Sequence, residues 1–182
     1  IFFLNLFFLI KERDYLKFFS PSFLIFFLVF ICFSFNISVD LNLGWDAQNY
    51  WIIKTLNFVN GNGIKDLQHL PRPDYPHFGS YLWAVFSVTS FLEHEYFGRM
   101  FYVYIFILSI FTISNYLNLR EIFKIIIFLS ILIIVNNSYI FRGYQEVLVF
   151  SYAVFLGCFI FEFQKNYKIK EMLLLLSLFF VI

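Results

Sequence analysis

Charged side chains are scarce in this chain. Asp, Glu, Lys and Arg make up 14% of the 182 residues, whereas apolar residues make up 61% and aromatic residues 25%. A soluble domain carries about 25% charged residues, so this composition excludes an ordinary soluble domain and predicts a polytopic membrane protein. Its fold class is expected to be all-α, because helices satisfy their own backbone hydrogen bonds in lipid. The net charge of +1 and the lack of a long basic run give no indication of nucleic-acid binding.

Cysteine and sequence signatures of soluble enzymes are also scarce. Cys32 and Cys158 both lie within apolar runs, which indicates buried, inert thiols rather than a disulfide framework or a metal site. The chain contains no P-loop, GxGxxG, HExxH or CxxC motif. Its function must therefore be sought in isolated polar residues between apolar runs.

Long uncharged runs predict the membrane spans. Phe18–Val39 contains 22 uncharged residues, which at about 1.5 Å per residue cross a hydrocarbon core of about 30 Å. Similar runs predict complete spans at 100–119, 122–141 and 147–164, and partial spans at 1–10 and 172–182. Because the chain starts without Met and ends within a short apolar run, we expect it to be a fragment of a longer protein.

The uncharged stretch Tyr75–Leu92 decides the predicted topology, because it is long enough to span but begins with Pro76, His77 and Gly79. If it does not cross, one side of the membrane receives eight cations and the other receives five; the five are Lys54, Lys65, Arg72, Arg99 and Arg142. Cations concentrate on the cytoplasmic side, so a non-crossing helix is favoured, started by Pro76 in its first turn. Residues 40–99 are then one extracytoplasmic loop that carries interfacial helices.

Two carboxylates lie next to predicted spans at similar depth in the membrane: Asp46 follows the first span, and Glu146 precedes the span 147–164. Asp46 lies among interfacial aromatic residues, where it is a candidate general base or metal ligand, or a helix-start residue favoured by the helix dipole. Glu146 closes the turn Arg142–Glu146. It is a candidate ligand for a metal or a substrate hydroxyl, with Arg142 binding a phosphate; the alternative is that Arg142 and Glu146 simply pair with each other.

A proline-rich segment between the first two spans holds further candidates. Three prolines in six residues restrict the backbone that carries His69, Asp74 and His77. Their spacing matches no strong zinc pattern, and a surface loop with incidental histidines is favoured. Asp74 before Pro76 is also compatible with ordinary helix capping. The segment 93–95, Glu-His-Glu, is interpreted as a solvated turn.

Three motifs together resemble a known family. Gly-Trp-Asp at 44–46, Pro-Asp-Tyr-Pro at 73–76 and Gly-Tyr-x-acid at 143–146 resemble the GT-C superfamily of integral-membrane glycosyltransferases, which includes aminoarabinose-transferase-like and protein O-mannosyltransferase-like enzymes. The resemblance covers residues 44–161. It implies transfer of a sugar from a polyprenyl-phosphate donor to an acceptor at the outer face of the cytoplasmic membrane. Glu146 stands where the family tends to have Asp.

The resemblance implies roles for particular residues. Asp46 would accept the proton of an acceptor hydroxyl in an inverting displacement, and Glu146 would orient it or, with Asp46, hold a divalent cation, Mg²⁺ or Mn²⁺. The substrate-binding candidates are Asp74, Tyr75, His77, Arg142, Tyr144, Arg99 and Lys54. The expected partners are a polyprenyl-phosphate-linked sugar and membrane lipid.

Two other functions remain open from the sequence. A multi-pass transporter also uses intramembrane acids that face a cavity, although transporter sites lie near the midplane and often in repeated halves. Here the acids lie at the ends of spans and no internal repeat is evident. A polymerase or ligase of lipid-linked polymers would share the substrate class.

Overall fold

The computed structural model describes the backbone of residues 20–87, 95–135 and 139–166, and in these ranges the regular structure is helical. Six α-helices follow in order: α1 Pro21–Val39, α2 Ile52–Val59, α3 Phe78–Ser87, α4 Tyr96–Tyr116, α5 Glu121–Val135 and α6 Glu146–Asn166. A π-helical turn, Ala47–Trp51, leads into α2, and 3₁₀ turns lie at Ile64–His69 and Tyr139–Phe141. The all-α prediction is confirmed for these residues.

The ends of the first helix follow from local chemistry. The Ser20 hydroxyl accepts a hydrogen bond from the Phe23 amide at 3.2 Å, and Pro21 occupies the first turn, where its missing N–H costs nothing. The helix stops at Val39 because Asp40 adopts an extended conformation. The Asp40 carboxylate instead accepts hydrogen bonds from the backbone and side chain of Asn42.

Within the described ranges, two helices are long and apolar enough to cross a membrane by length and composition. They are α1, with 19 residues, and α4, with 21; a shorter apolar helix covers Glu146–Phe161. The predicted spans 18–39 and 100–119 correspond to α1 and α4, with starts shifted by three and four residues. Helix α5 is described to Val135, and the last residues of the predicted span 122–141 form the 3₁₀ turn Tyr139–Phe141 instead of continuing the helix; residues 136–138 lie outside the described ranges. The partial spans 1–10 and 172–182 lie outside the described residues.

Helix α4 is the centre of the bundle, since it packs against α1, α3 and α6, while α1 also contacts α5. The core is mostly aromatic and branched aliphatic; it includes Phe26, Val29, Phe33, Trp83, Tyr102, Val103, Phe106 and Val147. Outward-facing positions are apolar as well. Phe35 on α1 is 69% exposed and Ile133 on α5 is 78% exposed, which is the surface expected of helices that face lipid.

Polar contacts identify the two ends of this bundle. At one end, the Arg99 guanidinium at the start of α4 donates to the carbonyls of Leu41 and Asn42, just beyond α1. Arg142, just before α6, forms an ion pair with Asp40 at 2.7 Å. We call this the cavity end. At the opposite end, the Ser22 amide of α1 donates to the Glu121 carboxylate of α5 at 3.1 Å.

Helix α3 does not carry the chain across the bundle. The residues after α1 and the first turn of α4 lie together at the cavity end, so the intervening segment leaves and returns to the same end. One detail of the prediction is wrong, because the helix begins at Phe78 rather than at Pro76. The first hydrogen bond of the helix runs from the Tyr81 amide to the His77 carbonyl at 2.9 Å, so Pro76 lies before the first turn. The predicted end at Leu92 lies outside the described residues.

Close backbone approaches at the cavity end require glycine. Gly143 has φ +88°, and a Cβ there would lie 2.8 Å from the Trp83 ring and 2.9 Å from the Ala47 side chain. At Gly44 a Cβ would overlap the Tyr144 ring. Because glycine has no side chain at these two positions, the segment after α1 can pack closely against the turn before α6.

Replacing Gly143 by Ala tests this contact. We expect Gly143→Ala to lower the free energy of unfolding by about 2–4 kcal/mol, from left-handed backbone strain plus overpacking, measured by thermal denaturation in detergent. Gly157→Ala is the matched control, because a Cβ there meets nothing within 4 Å in α6; it should be neutral or stabilising by up to about 1 kcal/mol. Equal stability of the two variants would contradict the tight contact.

Candidate functional site

A cavity of about 640 Å³ lies at the cavity end and receives both predicted catalytic carboxylates, Asp46 and Glu146. Its walls come from the π-helical turn before α2, the proline-rich segment, the start of α3 and one face of α6. The volume is in the range of small-molecule sites. The two acids are a hundred residues apart in sequence, and the helix bundle brings them to the same cavity.

The turn before α6 is fixed by a buried hydrogen-bond network. The Gly44 amide donates to the Arg142 carbonyl at 2.8 Å. The Tyr102 hydroxyl donates to the Gly79 carbonyl at 2.8 Å and accepts from the Gln145 side-chain amide at 2.9 Å. These contacts connect α3, α4 and α6 directly beside Glu146, so its backbone position is set by three elements.

The remaining carboxylates of the described residues are mostly committed to structural contacts. Asp40 pairs with Arg142, Asp66 accepts the Gly63 amide, Glu95 pairs with Arg99 and Glu121 pairs with Lys124. In contrast, Asp46 and Glu146 have neither an ion pair nor a hydrogen bond within the part of the chain described here, and Asp46 makes no capping bond. Their oxygens are therefore available to a ligand.

Chemically, the cavity combines these acids with two kinds of apolar wall. Four aromatic side chains line it, namely Trp51, Tyr75, Phe78 and Tyr152. One face of α6 contributes aliphatic groups that follow a helical repeat: Leu148, Val149, Ala153 and Leu156. The residues lining this cavity include no Arg or Lys. A ligand here would meet acidic groups at one part and hydrocarbon along α6.

The substrate-binding candidates of the proline-rich segment take different positions. Tyr75 lines the cavity, whereas Asp74 is exposed on the loop. His77 lies between two lining residues, and its Nδ1 is buried without a hydrogen-bond partner in the described ranges. Burial, and then the nearby Lys54 ammonium, lower the pKa of His77. The His77 imidazole is therefore mainly uncharged near neutral pH.

The turn before α6 carries two further candidates. The half-buried Arg142 binds Asp40 through its guanidinium. The hydrogen bond from the Asn42 amide and the contact with Arg142 lower the pKa of Asp40, so its carboxylate stays ionised at neutral pH. The Tyr144 ring lies against Gly44. Arg142 thus pairs with Asp40 rather than with Glu146, which leaves Glu146 to the cavity.

Lys54 and Arg99 are engaged by protein atoms. Lys54 is fully buried, and its ammonium donates to the carbonyls of Arg72 and Tyr75 at 2.6 and 3.1 Å; burial lowers its pKa. The Arg99 side chain is 1% exposed and Glu95 is 15% exposed, with 2.5 Å between Nη2 and Oε1. Neither cation is among the lining residues. The interpretation of Glu95 as part of a solvated turn is wrong, because it buries this ion pair; residues 93 and 94 lie outside the described ranges.

Sequence reasoning missed several lining residues. Trp51 is one of the interfacial aromatic residues near Asp46, and Tyr152 lies within the predicted span 147–164, so the sequence pattern marks neither as a site residue. The spacing i, i+3, i+7 counted from Glu146 reaches Val149 and Ala153, so helical periodicity would have found one wall. The position of Trp51 depends on the π-helical turn, which has no recognised sequence signal.

No family model matches the chain, and no curated protein or solved structure matches it either.

The buried pair Glu95–Arg99 generates a stability prediction. Glu95→Gln leaves a buried guanidinium without its counter-charge, so we expect a loss of about 3–5 kcal/mol in unfolding free energy. Glu121→Gln is the control, because Glu121 is half exposed in its pair with Lys124 and should cost at most about 1 kcal/mol. Thermal denaturation of both variants measures this. Similar small losses would contradict a structural role for Arg99 and favour its role in binding.

Proposed function

We propose that this protein is a multi-pass membrane glycosyltransferase that transfers a sugar from a polyprenyl-phosphate donor at the extracytoplasmic face of the cytoplasmic membrane. The observation that carries the proposal is the single cavity that contains two uncommitted carboxylates and an aliphatic wall along α6. A lipid-linked sugar has matching parts, a hydroxylated ring beside a long hydrocarbon. The resemblance of the three motifs supports the same reaction class.

Asp46 is the proposed general base. Its carboxylate takes the proton of an acceptor hydroxyl while that oxygen attacks the anomeric carbon; the bond between this carbon and the phosphate oxygen breaks, and polyprenyl phosphate leaves with the bonding electrons. Glu146 orients the acceptor hydroxyl from the start of α6. The transferred sugar inverts its configuration, because attack and departure occur on opposite faces.

The phosphate must be stabilised as it leaves. Arg142 is the proposed cation, because it is partly exposed and lies on the turn that leads to Glu146. Arg142 also pairs with Asp40, but its side chain is 30% exposed, whereas Lys54 and Arg99 are fully buried and are not assigned to this step. Asp46 and Glu146 also offer hard oxygen ligands that suit Mg²⁺ or Mn²⁺; within the described residues no group of three His, Cys, Asp or Glu forms a metal cluster. A cation held there would supply neutralisation of the phosphate charge.

The membrane placement predicts that the two ends of the bundle face opposite compartments. In a variant whose Cys32 and Cys158 are replaced by Ala, we expect Gln68→Cys to react with a membrane-impermeant maleimide in intact spheroplasts. Arg120→Cys, in the connection between α4 and α5, should react only after permeabilisation. Both positions are exposed. Labelling of both from one side would contradict a crossing by α4.

Activity is tested with membranes that contain the full-length protein and polyprenyl-phosphate donors radiolabelled in the sugar. We expect Asp46→Asn to lower the rate of label transfer out of the lipid fraction by about 10²–10⁴-fold, the usual contribution of a general base, and Glu146→Gln to lower it by at least about tenfold. Membrane insertion should be unchanged.

Asp66→Asn is the control, since Asp66 lies outside the cavity and Asn keeps an acceptor for the Gly63 amide. Transfer that survives in Asp46→Asn would remove Asp46 from this role. If the wild type moves label across sealed vesicles without transferring it, the transporter alternative replaces the glycosyltransferase.

A further inference from the structure

We propose that Trp51 and Tyr75 form a sugar-ring subsite inside the cavity, and that Lys54 is the positioning residue that holds it. The inference rests on the proposed function and adds to it a place for the sugar. It divides the cavity into an aromatic and acidic part that takes the ring and an aliphatic part that takes the lipid.

The Trp51 and Tyr75 side chains pack against each other in the cavity wall. Their ring centroids are 5.6 Å apart with an angle of 32° between the planes, and both residues line the cavity. Tyr50 supports Tyr75 from the side, with centroids 5.8 Å apart. Aromatic faces carry negative charge density, which attracts the slightly positive C–H groups on the face of a sugar.

Polar groups that a sugar needs accompany these two rings. The Trp51 indole Nε1 is buried and has no hydrogen-bond partner in the described ranges, although a buried indole N–H ordinarily has one. Asp46 precedes Trp51 in the same helical segment and also lines the cavity, as does Glu146. Ring hydroxyls can accept from the indole and donate to the carboxylates, which would satisfy all three groups.

Lys54 fixes this wall through both of its members. Its ammonium lies 5.4 Å from the Trp51 ring centroid and 5.8 Å from that of Tyr75. It also donates to the Tyr75 carbonyl at 3.1 Å and to the Arg72 carbonyl at 2.6 Å. The Trp51 carbonyl is held in addition by the hydroxyls of Thr55 and Ser80. A pre-positioned ring costs less ordering when the ligand binds.

The other side of the cavity has a different character. Leu148, Val149, Ala153 and Leu156 supply aliphatic groups along α6, and these offer hydrocarbon contact without hydrogen-bonding groups. A hydroxylated ring placed there would lose its hydrogen bonds to water without replacement, which is unfavourable. The sugar is therefore assigned to the Trp51 and Tyr75 side.

The test is competition binding to the full-length protein in nanodiscs. Tritiated farnesyl phosphate is the tracer, and the competitors are unlabelled farnesyl phosphate and its glucose, mannose and N-acetylglucosamine derivatives. In the wild type we expect at least one sugar-bearing lipid to compete at least about tenfold better than farnesyl phosphate, about 1.4 kcal/mol. Tyr75→Leu, which keeps an apolar side chain but loses the ring, should abolish this advantage and leave farnesyl phosphate binding within twofold.

Further variants separate stacking, hydrogen bonding and positioning. Trp51→Phe keeps a ring but loses the N–H and should reduce the advantage a few-fold. Lys54→Met should reduce it as Tyr75→Leu does, whereas general structural damage would weaken all competitors equally. Tyr81→Leu is the matched aromatic control, because Tyr81 is 51% exposed and does not line the cavity.

Three results would overturn the inference. If every sugar-bearing lipid competes no better than farnesyl phosphate, or if Tyr75→Leu keeps the advantage, the subsite is wrong while the proposed function stands. If Lys54→Met keeps the advantage, the positioning role is wrong. If the wild type shows no displaceable tracer binding, the proposed function fails and the subsite fails with it.

Discussion

The hydrogen bond from the Gly44 amide to the Arg142 carbonyl, 2.8 Å long, is the contact on which the site depends. It joins the segment after α1 to the turn before α6, and it forms because glycine allows the backbone to lie against Tyr144. Gly143 makes the reciprocal approach to Trp83 and Ala47. Without these contacts Asp46 and Glu146 would belong to separate loops, since neither carboxylate is bound to any other part of the described chain.

The contacts of the charged side chains reflect the free-energy cost of burying a charge. The cations nearest the cavity are each matched with protein oxygen atoms: Arg99 with Glu95, Lys54 with two backbone carbonyls, and Arg142 with Asp40. A buried charge without a partner is expensive, so these pairings stabilise the walls. Asp46 and Glu146, which have no such pair, lie at the cavity, where solvent or a ligand can contact them. Rigid walls around available acids are the arrangement expected of a binding or catalytic site.

The sequence allowed much of the fold to be predicted. Uncharged runs located α1 and α4 within a few residues, because lipid-compatible helices need little besides apolar side chains. Boundaries were less accurate where local chemistry competes, as at Phe78, where α3 starts later than predicted. The acids Asp46 and Glu146 were found because polar residues at the ends of apolar runs are conspicuous. Arg99 and Lys54 were conspicuous for the same reason, yet their partners are protein atoms.

By itself, the sequence determined the helical class, the positions of the apolar helices and the short set of polar residues from which a site can be built. The reason is that apolar run length and charge placement are local properties of the chain. Only the tertiary structure decided which polar groups share the cavity, because Trp51 reaches it through a π-helical turn and Glu146 follows Gln145, which is bound through Tyr102 to Gly79. The two hydrogen bonds of Tyr102 join residues 43 and 23 positions apart, and their geometry depends on packing rather than on local pattern.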